Sequence, residues 1–191
     1  MTIFHFTACR QMLLRLPRSL AVALALGLGM TVAACGSSHN WRDYSSQEAP
    51  YRVMFPDKPA IHKRSIDIDG MQVDMTMTAV DANGTTFAVG SAVAPDAAHA
   101  KAALAGMKTA LVRNIGARVS SEKARAEASS DGVQHSSIDI EAAGVQNGAP
   151  MKLFGHFEAR DKRFYQVIVM GKANNMPQED VDQFLSSFKL L

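Results

Sequence analysis

The chain has 191 residues, of which 47% are hydrophobic, 20% charged and 7% aromatic, and its formal net charge is +2. This is the balance of a globular protein. Nothing in that charge balance suggests the clustered basic face that nucleic acid demands, so no nucleic-acid partner is expected.

The first 34 residues carry Arg10, Arg15 and Arg18 with no acidic residue, followed by the apolar run LAVALALGLGM from Leu20 to Met30. A positive start and a short apolar segment form a secretory signal. The run falls well short of the roughly 20 apolar residues that span a bilayer as a helix, so a lasting transmembrane helix is not expected. Val32, Ala33 and Ala34 then run directly into Cys35. This resembles the lipobox of bacterial lipoproteins, in which the cysteine thiolate takes up a diacylglyceryl group and the signal is cut away. In that family the new amino terminus carries three acyl chains. At about 0.8 kcal/mol per buried CH₂, one chain binds a membrane marginally, whereas two or more anchor it stably. The resemblance implies a removed signal peptide over 1–34 and lipidation at Cys35. Gly36 and Ser37 follow without an aspartate, which resembles lipoproteins sent to the outer membrane, facing the periplasm. The plainer alternatives are a secreted protein with an ordinary signal, or a buried thiol in an uncleaved chain.

Cleavage before Cys35 also removes Cys9, leaving no second thiol for an internal disulfide, and loss of the three arginines takes the net charge from +2 to −1. Residues 36–50, GSSHNWRDYSSQEAP, are polar and closed by a proline. With Cys35 they read as a lipidated tether over 35–50. Residues 51–191 then suit a single domain with one core.

Within that domain, Asp69–Gly70, Asn83–Gly84 and Asp131–Gly132 are dipeptides that favour the positive φ angles of hairpin turns. Between the first two, Met71, Val73, Met75, Met77 and Ala79 alternate with polar residues, as in a half-buried antiparallel strand. Strands are also expected over 51–55, 61–68 and 85–93, making the first half a meander. From Pro95 to Ile115 the period changes: Ala100, Leu104, Met107, Leu111 and Ile115 mark one face of a helix, which Gly116 ends. Strands return over 118–126, 133–141, 151–160 and 163–172. The first of these is rich in helix formers. The last is apolar on both sides, as a central strand must be. The closing PQEDVDQFLSSFKLL has Pro177 for a first turn, Glu179 and Asp180 to complement the helix dipole, and a stripe of Val181, Phe184, Leu185 and Phe188.

The expected fold class is therefore α+β: an antiparallel sheet of about six to eight strands in two meanders, with helices packed on both faces. The order of elements, the early YRVMFP, the KRFYQVIVMG strand and the closing FLSSFKLL resemble the PsbP/Mog1-like family of α/β/α sandwiches. That family includes photosystem accessory subunits, a binder of a small GTPase and chaperones of type VI secretion effectors. The resemblance implies recognition rather than catalysis. It transfers no binding residue.

Candidate chemistry is sparse. No HxxxH or HExxH pair, GxSxG elbow or phosphate loop is present. His156 and Glu158 share one side of a strand, and His135 and Asp139 can lie across the sheet from them. The four could form a metal or catalytic cluster, and they suit solvent-facing polar positions equally well. Met71, Met75 and Met77 share a strand face, either as Cu(I) ligands or as core fillers. The expectation is a non-enzymatic cell-envelope lipoprotein without cofactor, acting as a binding or accessory module for a protein, peptide or lipid-derived partner. The alternative is a periplasmic metal-binding protein or hydrolase using His135, His156, Asp139 and Glu158.

Overall fold

The structure is a computed structural model that describes residues 39–128 and 133–191, residue 128 by its backbone only. The signal segment, Cys35 and the Asp131–Gly132 pair lie outside the described residues.

Four tight turns set the hairpins. Asp69–Gly70 (φ 52° and 87°), Asn83–Gly84 (52° and 77°) and Asn147–Gly148 (50° and 77°) all have two successive positive φ angles, and Asp161 has one at 52°. These angles match the right-handed twist of the flanking strands. They join β3 (Ala60–Ile68) to β4 (Met71–Ala82), β4 to β5 (Thr85–Val93), β7 (Gln134–Gln146) to β8 (Ala149–Arg160), and β8 to β9 (Arg163–Lys172). With β6 (Arg118–Ala128) at the far edge, they form one seven-stranded sheet in the order β3-β4-β5-β9-β8-β7-β6. Every pair is antiparallel, and β5 meets β9 with Val89 opposite Val167. The central β9 is buried on both sides, with Phe164 and Ile168 in one core and Tyr165, Val167 and Val169 in the other.

On the first face lies α1 (Ala97–Asn114), which buries Ala100, Ala103, Leu104 and Met107. Asp96 caps its start by accepting the His99 amide at 2.9 Å. At its end Gly116 (φ 58°) donates to Arg113 O and Ala117 donates to Val112 O. This is a Schellman closure, which glycine adopts without steric cost.

The second face overturns the expected fold class. The chain does not form an α+β sandwich with helices on both faces of one sheet. It is mostly strand and forms two antiparallel sheets. A second, three-stranded sheet orders β1 (Arg42–Ser45), β2 (Tyr51–Phe55) and β10 (Lys189–Leu190) as β1-β2-β10. It accompanies α2 (Gln178–Ser187), which has ten residues. The reason lies at two places in the chain. Pro56 and Pro59 flank the exit of β2, and residues without an N–H cannot continue a ladder, so the chain leaves the small sheet before β3 joins the large one. At the other end the helix stops at Ser187, and Lys189 and Leu190 pair with Arg52 and Tyr51. The polar stretch read as a tether is likewise built into the fold: Arg42 to Ser45 pair with Phe55 to Arg52, and Ala49 is buried.

The second core is aromatic. Phe184 of α2 sits 5.3 Å from Phe55 and 5.4 Å from Phe87, ring to ring, and all three are essentially fully buried. Each such side chain contributes about 1.5–3 kcal/mol of burial. The covered area ends near Phe188. Beyond it, on the same face, β6, β7 and the outer half of β8 are left to polar side chains.

Candidate functional site

Alternation along β7 sends Ile138, Ile140 and Ala142 towards the first core, so His135, Ser137, Asp139 and Glu141 point to the other face. On β8, Leu153, Phe157 and Ala159 go inward to that core, which turns His156 and Glu158 the same way as the β7 polar set. The register places Asp139 opposite His156, Ser137 opposite Glu158, and Arg125 of β6 opposite Ser137. Directly opposed residues share a face at close quarters. The four sequence candidates therefore meet, and Arg125 joins them.

The contacts form one chain of alternating basic and acidic side chains across three strands. Arg125 Nη1 donates to Asp139 Oδ2 at 3.0 Å, and Asp139 Oδ1 lies 2.6 Å from His156 Nδ1. His156 Nε2 is 3.0 Å from Glu158 Oε2, and Glu158 Oε1 is 2.6 Å from His135 Nε2. The Glu158 side chain is 14% exposed and that of His156 24%. The His156 ring also touches Phe188, at 6.0 Å between centroids, so the ladder begins where the aromatic core stops.

Neutral imidazole has one N–H, yet both nitrogens of His156 face carboxylate oxygens, a geometry that suits the doubly protonated ring. Burial works to lower the His156 pKa, but the carboxylates of Glu158 and Asp139 outweigh it and the net shift is upward. For Glu158, burial works to raise the pKa, while the bonds to His156 and His135 prevail and hold it below the ordinary value. Ser137 is buried and stands opposite Glu158, but it makes no hydrogen bond to either imidazole. The arrangement ties three strands together and favours the protonated form of His156. Among the described residues it brings no nucleophile into hydrogen-bond contact with either ring.

The other candidates are scattered. His62 pairs in register with Met77 near the open edge of the large sheet, and His99 lies beside the cap residue Asp96 at 2.8 Å. His39 Nε2 approaches Asp180 Oδ2 at 3.2 Å, where the carboxylate in the first turn of α2 is 3% exposed. Met75 is buried in the first core, with Met71 and Met77 packed against it. Among the described residues, no group of three or more His, Cys, Asp or Glu is placed to hold a metal ion. Among the same residues, no helix is long and apolar enough to cross a membrane. Two features escaped the sequence reading. Arg125 could have been found by continuing the alternation of polar residues into 118–128, and the His39–Asp180 contact has no local signal at all.

No family model matches the chain, and no curated protein matches it. Among solved structures, it is similar to a Pseudomonas aeruginosa protein of unknown function, with 14% identity, 75% of this chain and 90% of the other covered, and a TM-score of 0.34. That likeness carries no functional argument.

Proposed function

We propose that the chain is a non-enzymatic lipoprotein of the cell envelope, anchored through Cys35 to the outer membrane with its domain facing the periplasm, and that this domain is a binding or accessory module for a protein, peptide or lipid-derived partner. The observation that supports the non-enzymatic part is the ladder: Asp139, His156 and Glu158 are engaged with one another and with Arg125 and His135, and among the described residues no nucleophile is bonded to either ring. General base catalysis needs an imidazole or carboxylate free to take a proton from a bound nucleophile. The anchor rests on the VAAC sequence after a positively charged apolar leader.

Replacing Cys35 with Ala and fractionating cells tests the anchor. The variant should leave the membrane fraction; membrane recovery at the wild-type level contradicts it. One observation favours the second reading, a metal-binding protein or hydrolase: two histidines and two carboxylates do converge. Elemental analysis of the protein purified without chelator separates the two. Stoichiometric zinc or copper that disappears in His156→Ala establishes the second.

A further inference from the structure

The first face of the large sheet is covered unevenly. α1 packs over β7, β8 and β9, while β3 and β4 extend past it, and between the helix and these two strands runs a cleft of about 550 Å³. Small-molecule sites occupy about 300–1,000 Å³ and are mostly apolar with a few placed polar groups. Ile66, Met75 and Met77 line the strand side, and Met107 and Leu111 line the helix side. Thioether side chains adapt to the shape of an apolar guest.

The floor and the two ends give the cleft a direction. Gly90 lies between Met77 and Gln166 in register, and a Cβ there would stand 2.7 Å from Met77 Sδ and 2.8 Å from Gln166 Cγ. The missing side chain lets the thioether and the buried amide settle into the floor, where Gln166 Nε2 donates only to the weak acceptor Met77 Sδ at 3.4 Å. One end is shut. A Cβ on Gly106 would fall 2.7 Å from Asp69 Oδ2 and 2.8 Å from Ile68 Cγ2, so helix and strand touch there. Away from that contact stand two arginines. Arg113 lies seven residues further along α1, about 10 Å at the helical rise, and Arg64 lies four residues from Ile68 along β3, about 13 Å.

Among the described residues the arginines in ion pairs are Arg42 and Arg125, so Arg64 and Arg113 keep their guanidinium groups unpaired at the cleft. The two carboxylates of the lining gather at the β3–β4 turn: Asp67 accepts from the Gly70 amide and from Gln72 Nε2, and Asp69 stands against Gly106 at the shut end, away from the two guanidinium groups. A cleft with Ile66, Met75, Met107 and Leu111 in its lining and two unpaired guanidinium groups away from its shut end is complementary to an acyl chain ending in a carboxylate, which arginine binds through two parallel hydrogen bonds.

We propose that the cleft between α1 and the β3–β4 hairpin binds a medium-chain fatty acid, the chain lying along Ile66, Met75 and Met107 and the carboxylate held by Arg64 and Arg113. This rests on the reading of the domain as a binding module and names its site and ligand.

The test uses the full-length protein in phosphatidylcholine vesicles with a decanoate bearing a photoreactive diazirine, followed by peptide mapping. Label should appear on peptides covering residues 64–77 and 105–113, excess decanoate should compete it away, and decanol should compete at least tenfold less well. Arg64→Ala with Arg113→Ala should reduce labelling at least tenfold. Ala110→Trp, which fills the cleft from the helix side, should abolish it while the circular dichroism spectrum stays unchanged. Scattered label, label indifferent to these variants, or equal competition by decanol overturns the proposal. So does competition by an amphipathic peptide but not by decanoate, which assigns the cleft to a protein segment. The Cys35→Ala fractionation reads the anchor independently, so the failure of one is distinguishable from the failure of the other.

Discussion

Glu158→Gln removes the one carboxylate that touches both histidines of the ladder, at 2.6 and 3.0 Å, without changing its size. Each charge-assisted bond is worth about 1.5–3 kcal/mol when sheltered. His135 is 40% exposed and His156 24%, so solvent screening reduces the sum, and the expected cost is about 1–3 kcal/mol in total. The cost should depend on pH with a definite sign. The His156 pKa is raised above its ordinary 6.5, so its stabilisation is complete below that value and is lost as pH rises through the folded-state pKa. Glu158 is lowered from its ordinary 4.5, so its stabilisation is present above that value and is lost as pH falls through the folded-state pKa. The wild type should therefore gain most from the ladder between about pH 4.5 and 6.5. Urea melts at pH 5.5 and 8.5, read by near-ultraviolet circular dichroism, provide the assay. With a slope near 2 kcal/mol per molar urea, the midpoint of the variant should drop by about 0.5–1.5 M at pH 5.5, and by less than half as much at pH 8.5. Equal drops at the two values, or none at pH 5.5, would refute the reasoning.

Three further outcomes follow from the fold. Deleting residues 36–49 removes β1 and the aromatic contacts of Trp41 with Phe87 and Tyr44 with Phe55 at about 6 Å, and strips His39 from the buried Asp180. An unpaired buried carboxylate alone costs about 3–5 kcal/mol, so the melting temperature should fall by on the order of 10 °C; a change under 2 °C would restore the tether reading of that segment. Phe184→Ala leaves a hole between Phe55 and Phe87 and should cost about 3–5 kcal/mol in urea unfolding. Gly116→Ala places a Cβ at φ 58° and should cost about 1 kcal/mol, seen as a few degrees in the thermal melt.

Much of the strand pattern was readable because side-chain period and turn chemistry agree. Asp69–Gly70 and Asn83–Gly84 fall where the hairpins turn, and the alternation from Met71 to Ala79 sits inside β4. The stretch RVSSEKARAEA is rich in helix-forming residues, yet it is strand β6, because pairing with β7 outweighs a propensity difference of a few tenths of a kcal/mol per residue. What stayed hidden was non-local. RDYS carries too little apolar character to announce β1, whose partner lies across a turn, and β10 is two residues long and exists only because β2 offers it an edge. The same applies to function. His156 and Glu158 are two residues apart and could be paired by eye, while the unpaired state of Arg64 and Arg113 beside a methionine-lined cleft depends on how far α1 reaches across the sheet.

The envelope assignment turns on the chemistry of one thiol. Intact-mass and tryptic mass spectrometry of the protein isolated from membranes should find a chain that begins at Cys35 and carries a diacylglyceryl group and an amide-linked acyl chain. A chain that begins elsewhere, or a Cys35 with a bare thiol, would contradict the account.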